Sequence, residues 1–207
     1  NNRIAEYSLS ATNEAAYKAF RQQYNDNPNP LDLYILITHS FNYQLRFNSR
    51  HQYNNPFGKA NSTFNAAMRN NLNLFLDRVK SIDIDFVCND FLYFDFSSIT
   101  ADDFIYCDPP YLISTGAYND GKRGFKGWSE SEEYQLLAML ESFDKNGIRF
   151  ALSNVLLHKG KTNHILIDRI GRHNFKVAHL KKNYAASSYH TSDRNKNGSD
   201  EVLIMNY

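Results

Sequence analysis

The apolar run Phe104-Ile105-Tyr106-Cys107 stops in Asp108-Pro109-Pro110-Tyr111. Proline has no amide hydrogen and a fixed φ, so the carbonyls around Pro109 and Pro110 are held rigidly and cannot join a helix. The Asp108 carboxylate and a neighbouring carbonyl can then accept both hydrogens of an aromatic NH₂. Tyr111 sets a flat π-face beside them on which a base can stack. An aromatic amine is a poor nucleophile because its lone pair is delocalised into the ring. Two fixed acceptors localise that pair and stabilise the positive charge that develops on attack. The pattern therefore suits methylation of an amino group. Pro-Pro alone is an ordinary strand stop; Asp before it and Tyr after it, at a strand end, favour the chemical reading.

Two further strand ends carry polar groups, and ligands of open α/β sheets bind outside strand ends. Asn89-Asp90-Phe91 follows the run from Ile84 to Val87. Asp90 can accept a hydrogen bond from a ligand while Phe91 packs on a flat ring; equally, Asp90 can shape a turn and Phe91 can enter the core. Phe150-Ala151-Leu152 ends in Ser153-Asn154, whose polar groups can face the same cleft.

Positioning these groups falls to two kinds of element. Residues 12–25 read as a helix, with Thr12 or Asn13 as cap and Ala16, Tyr17 and Phe20 as its apolar stripe. Residues 31–43 follow Pro30, are apolar nearly all round, and read as a buried helix. Residues 65–80 return to a helix with Ala67, Met68, Leu72, Phe75, Leu76 and Val79 on one stripe. Between them, residues 44–64 form a long polar excursion interrupted by Pro56-Phe57-Gly58. From residue 82 the period shortens. Strand-like runs at 84–87, 104–107, 148–152, 175–180 and 202–205 alternate with helix patterns at 130–145 and 162–172. That alternation predicts an α/β sheet, mostly parallel.

A chain of 207 residues with 42% hydrophobic content can build a real core. The net charge of +1 hides a division. Residues 1–81 carry nine basic against five acidic residues, 82–157 five against thirteen, and 158–197 nine against two. Two basic segments around an acidic middle can form a phosphate-binding face or simply a solvated surface. Cys88 and Cys107 read as buried free thiols in a reducing compartment. Seven histidines without ligand spacing, and no Cys-x-x-Cys, predict no metal. No apolar run is long enough to span a membrane. The chain begins Asn1-Asn2 rather than with Met, as expected of a processed or cut chain.

The chain resembles the Dam-type DNA adenine methyltransferases that carry Asp-Pro-Pro-Tyr after a target-recognition region. The resemblance runs through Ser40-Phe41-Asn42-Tyr43-Gln44-Leu45-Arg46-Phe47-Asn48, Tyr53-Asn54-Asn55-Pro56-Phe57-Gly58-Lys59 and Cys88-Asn89-Asp90-Phe91. It continues through Tyr106 to Tyr111, Gly127-Trp128-Ser129, Phe150 to Asn154 and Asp200 to Tyr207. It implies an incomplete Rossmann-like, S-adenosylmethionine-dependent methyltransferase sheet (residues 81–207) and a mostly helical target-recognition subdomain (residues 1–80). It implies a catalytic set of Asp108, Pro109, Pro110 and Tyr111 around an adenine flipped out of duplex DNA, and cofactor contacts from Asp90, Phe91 and Asp108. Methyl transfer would be a direct in-line displacement without a covalent enzyme intermediate or a metal. Asn42, Gln44, Arg46, Asn48, Pro56 and Lys59 fall where DNA is bound. Arg is the side chain that grips guanine O6 and N7, and an apolar group such as Pro suits a thymine methyl; Arg46 can equally be a phosphate contact or a surface ion pair. A monomeric bacterial or phage enzyme of the cytoplasm, acting on double-stranded DNA and reading GATC, is the expectation. The rival is a DNA-binding remnant without catalysis. RNA or protein-glutamine methyltransferases also use Pro-Pro-Tyr, but the segment 40–59 speaks against them.

Two departures from that family stand out. His51 occupies a turn position where the family has Gly, which can supply a positive φ. The family's opening strand and Phe-x-Gly-x-Gly cofactor loop have no counterpart before the recognition region, since the first glycine is Gly58. Either a preceding part carries the loop or the chain is a natural remnant, and in both cases these residues alone should bind S-adenosylmethionine weakly.

Overall fold

The computed structural model describes residues 2–59, 62–114, 128–180 and 198–207. The described residues fall into two compact units, one up to Val87 and one from Cys88 onward. Gly127 and the basic residues Lys181, Lys182, Arg194 and Lys196 lie outside the described residues.

The first unit begins with α1 (Asn2–Glu6), α2 (Glu14–Asp26) and α3 (Pro30–His39). Asn13 caps α2 by accepting from the Ala16 amide, and Asn29 caps α3 through the Asp32 amide with Pro30 at the first position. The core gathers Leu9, Tyr17, Phe20, Tyr24, Ile35, Leu36, Phe47, Tyr53 and Phe57. A two-pronged bond from Arg3 to the buried Asp32 ties α1 to α3, at 3.0 and 2.6 Å. That bond holds the Asp32 carboxyl below its usual pKa. The helix expected over 31–43 ends at His39, because Ser40 already has extended backbone, and Asn42 and Tyr43 beyond it take left-handed angles that an α-helix cannot contain.

α4 (Ala66–Ser81) forms where the pattern placed it, capped by Asn65. None of its residues is buried; Leu74 and Phe75 are more than half exposed. Amphipathic spacing specifies that a helix has an apolar face, not what covers it. The strand expected at 84–87 does not form. A strand needs a ladder partner, and among the described residues nothing pairs with this segment; Phe86 is 75% exposed.

The second unit contains β1 (Phe104–Cys107), α5 (Glu130–Lys145), β2 (Arg149–His158), β3 (Lys161–Thr162), α6 (His164–His173), β4 (Lys176–Leu180) and β5 (Ser199–Met205). The sheet order is β1-β2-β5-β4, with β3 paired to the far end of β2. Among the described residues the one parallel strand pair is β1 with β2; β5 pairs antiparallel with both β2 and β4. The mostly parallel sheet read from the sequence is thus a mixed one. The alternation of strand and helix sets β2 and β4 in the same direction, and β5 then fits between them running the other way. A capping box of Ser129 and Glu132 starts α5, and Asn163 caps α6. Leu136, Leu137, Leu140 and Phe143 of α5 pack with Phe150 and Leu152 of β2, Leu166 of α6, and Val202 and Ile204 of β5. Each such side chain contributes roughly 1.5–3 kcal/mol by leaving water. Cys88 is exposed rather than buried, since the strand expected before it is absent; Cys107 is partly buried, and burial pushes its thiol up to about 11.

Candidate functional site

In the second unit the site grows from the register of two parallel strands. Cys107 of β1 lies opposite Leu152 of β2, so the chain leaves β1 at Asp108 beside the point where β2 reaches Ser153. Side chains alternate along β2. Ser153 therefore faces one side, while Leu152 and Asn154 are buried on the other. The Tyr111 hydroxyl donates to Asp108 Oδ1 at 3.1 Å and lies 3.1 Å from Ser153 Oγ. A phenol has one hydrogen, so Ser153 is the donor in the second contact. Burial raises the pKa of Tyr111; the Ser153 bond opposes that and the Asp108 charge adds to it. Tyr111 thus stays a neutral donor at neutral pH. Asp108 is exposed at the mouth of this arrangement, followed by Pro109 and Pro110.

Asn154, read from the sequence as facing the same cleft, turns inward instead. Its amide joins Asn163 in donating to Glu133 Oε1, at 3.4 and 2.9 Å, while Trp128 Nε1 donates to Glu133 Oε2 at 2.7 Å. Glu133 is completely buried. In the sequence it is one acidic residue in the first turn of the helix pattern at 130–145. Its spacing from Leu136, Leu137 and Leu140 was the available signal, since it puts a carboxylate on the buried stripe of α5. Trp128 also lies against Phe91, ring centroids 5.8 Å apart. Phe91 packs on the main core, and Asp90 caps the short 3₁₀ turn Phe91–Tyr93 by accepting from the Leu92 amide at 3.0 Å. Asp90 and Phe91 therefore have the structural duties weighed as their simpler reading.

In the first unit the sequence between α3 and α4 folds into a short hairpin. Phe47 pairs with Tyr53 and Ser40 with Phe57 as antiparallel bridges. Tyr53, Asn55 and Phe57 point inward. Asn42, Gln44, Arg46, Pro56 and Lys59 are exposed. Asn48 serves the turn: its Oδ1 accepts from the Arg50 and Gln52 amides, and its Nδ2 donates to Gln52. His51 adopts φ 61°, the left-handed geometry that a glycine would supply, so the hairpin closes without one. Gly58 is required by close approach, since a Cβ there would stand 2.6 Å from the Ser40 carbonyl oxygen and 2.1 Å from Ser62.

Among the described residues no three His, Cys, Asp or Glu side chains are grouped to hold a metal ion, and no helix is long and apolar enough to cross a membrane.

The sequence profile of the D12 class N6 adenine-specific DNA methyltransferases matches residues 3–186. The chain is 52% identical over 205 residues to modification methylase StsI of Streptococcus sanguinis, covering 99% of this chain and 31% of that protein. It is 48% identical over 205 residues to type II methyltransferase M.FokI of Planomicrobium okeanokoites, again covering 99% and 31%. It is 39% identical over 175 residues to modification methylase LlaI of Lactococcus lactis subsp. lactis, covering 84% and 28%. The chain thus spans about a third of the length of these relatives. The mixed α/β sheet, the strand-end Asp-Pro-Pro-Tyr and a profile match over most of the residues lead to one conclusion: the chain belongs to the D12 class N6 adenine-specific DNA methyltransferase family.

Proposed function

We propose that the protein carrying this chain is a site-specific DNA adenine methyltransferase. It transfers a methyl group from S-adenosylmethionine to the exocyclic amine of an adenine flipped out of duplex DNA. The observation that carries this reading is the Asp108–Tyr111–Ser153 arrangement at the end of β1. Asp108 and the carbonyl beside it accept the two amine hydrogens and favour the developing positive charge. Pro109 and Pro110 keep that backbone from shifting, and Tyr111 offers the stacking face. Ser153 fixes the tyrosine hydroxyl against the carboxylate.

S-adenosylmethionine supplies an electrophilic methyl group when bound. The residues present fit one side of it. The exposed Asp90 and Asp108 offer carboxylates to its polar groups, and Phe91 offers a ring already braced by Trp128. Within these 207 residues no glycine-rich turn precedes the recognition hairpin.

On this reading Asn42, Gln44, Arg46 and Pro56 meet DNA bases or backbone, Lys59 meets a phosphate, and Asn48 holds the turn between them. Arg46 reads a guanine, and GATC is the first site to test. The enzyme works as a monomer in the cytoplasm, needs no metal, and serves a bacterial or phage modification system.

Gel-shift and methyl-transfer assays with GATC-containing and control duplexes test the proposal. Sequence-selective binding with incorporation of methyl groups at adenine N6 is expected. Selective binding without any transfer by the whole protein would leave only a DNA-binding remnant.

A further inference from the structure

Asn42 and Tyr43 are consecutive non-glycine residues in the left-handed region, at φ 52° each. A β-carbon makes that conformation unfavourable, and two in succession persist only where the surroundings over-determine them. The surroundings here converge on one buried amide. Asn55 Nδ2 lies 3.0 Å from the Phe41 carbonyl, just before the pair, and 3.0 Å from the Gln44 carbonyl, just after it. It also lies 2.8 Å from Ser40 Oγ, whose own hydrogen goes to the Ile37 carbonyl, so Ser40 is an acceptor. Two amide hydrogens thus serve three acceptors, and the opposite orientation of the amide would set its oxygen against all three. Asn55 Oδ1 is buried without a hydrogen-bond partner.

The Asn55 backbone is itself anchored. Its carbonyl accepts from the Tyr17 hydroxyl and from Arg21, both at 2.9 Å, which fastens it to α2. The Gln44 carbonyl gains a second donor in the Tyr53 hydroxyl at 3.0 Å. Helix α2, Asn55 and the two carbonyls therefore form a frame around the strained pair.

We propose that Asn55 is a positioning residue for sequence reading. Its amide clamps the carbonyls on both sides of Asn42-Tyr43, holds the left-handed pair in place, and so presents Asn42, Gln44 and Arg46 in one fixed arrangement. The inference rests on the DNA-reading role proposed above. Asn55 touches no base; it acts through the loop it brackets.

Asn55→Asp removes both donors at nearly unchanged volume, and Asn55→Ala removes them without adding charge. Each is tested in the whole protein by competition binding to a GATC duplex and its single-base variants, with circular dichroism to verify the fold. Discrimination between the best duplex and its variants is expected to fall about tenfold, the loss of one well-placed base contact, while salt-dependent binding to all duplexes persists. Adding Tyr43→Gly, which takes the left-handed geometry without a β-carbon, is expected to restore part of the lost discrimination. A merely structural residue would not be rescued this way. Folded variants with undiminished discrimination overturn the proposal. So do variants that never fold, because Asn55 would then be a core residue and not a clamp on the loop. A parent protein that discriminates no duplex at all overturns the DNA-reading assignment itself.

Discussion

Tyr111 Oη and Ser153 Oγ stand 3.1 Å apart and join the loop after β1 to the neighbouring strand β2. The same hydroxyl donates to Asp108, so the carboxylate of the Asp-Pro-Pro-Tyr element is oriented from a strand that is distant in sequence.

Removing that carboxylate should be the most damaging single change to the chemistry. Asp108→Ala in the whole protein should lower the methylation rate by roughly two decades or more, the usual loss for one preorganised polar group. Single-turnover transfer to a saturating duplex checks this, and a parental rate would remove Asp108 from the site.

Tyr111 combines two duties that substitutions can separate. Tyr111→Phe keeps the ring and loses the bonds to Asp108 and Ser153, so the rate should fall while the extruded base stays stacked. Tyr111→Ala should also lose about 1–3 kcal/mol of stacking. Fluorescence of 2-aminopurine at the target position, followed beside the rate, distinguishes the two.

Arg46 and Lys59 are both exposed and should behave differently. Arg46→Ala should cost about 1–3 kcal/mol on the preferred duplex and relax discrimination at one base pair. Lys59→Ala should weaken all duplexes alike and flatten the salt dependence by about one unit. Equal losses on every duplex for Arg46→Ala would reduce Arg46 to a phosphate contact.

Stability of the first unit should depend on pH through His39. Burial holds this imidazole below its ordinary pKa, while the bond to the Ile35 carbonyl partly opposes that. The unfolded chain therefore takes up a proton that the folded one resists. The stabilisation is complete above about pH 6.5 and is lost as pH falls from there toward the lower folded value. Denaturant melts at pH 7.5 and 5.5 should show this loss, and His39→Gln should reduce it. Asp32, held low by Arg3, adds its own loss only below about pH 4.

Glu133 should be needed for folding rather than for DNA binding. Glu133→Ala leaves the Trp128 indole and the Asn163 amide without their acceptor, at about 1–3 kcal/mol for each buried donor. Thermal unfolding with near-ultraviolet monitoring of the single tryptophan reads the effect directly.

The sequence disclosed the elements that depend on local chemistry. Asn13 sits where a cap belongs and α2 follows it, and the helix patterns at 65–80 and 130–145 become α4 and α5. The strand-end position of Asp108 was legible because the apolar run and the prolines mark it. What escaped depended on partners distant in sequence. Ile84 to Val87 has strand composition but no ladder beside it. Ser153 and Asn154 look alike in the sequence, and only the register of β2 sends one to Tyr111 and the other to Glu133. His51 stands where the resembling family has Gly, and the surrounding Asn48 bonds hold it in the angle a glycine would take.

The place of β5 in the sheet orders events in time. Residues 199–205 are hydrogen-bonded to β2 on one side and β4 on the other. Until they leave the ribosome, β2 and β4 have no strand between them and part of the core lacks Val202 and Ile204. Among the described residues, the core of the first unit contains nothing beyond Phe57. During synthesis the hairpin of the first unit can therefore settle while the sheet bearing Asp108 still waits for its central strand, an interval in which that sheet is open to misassembly.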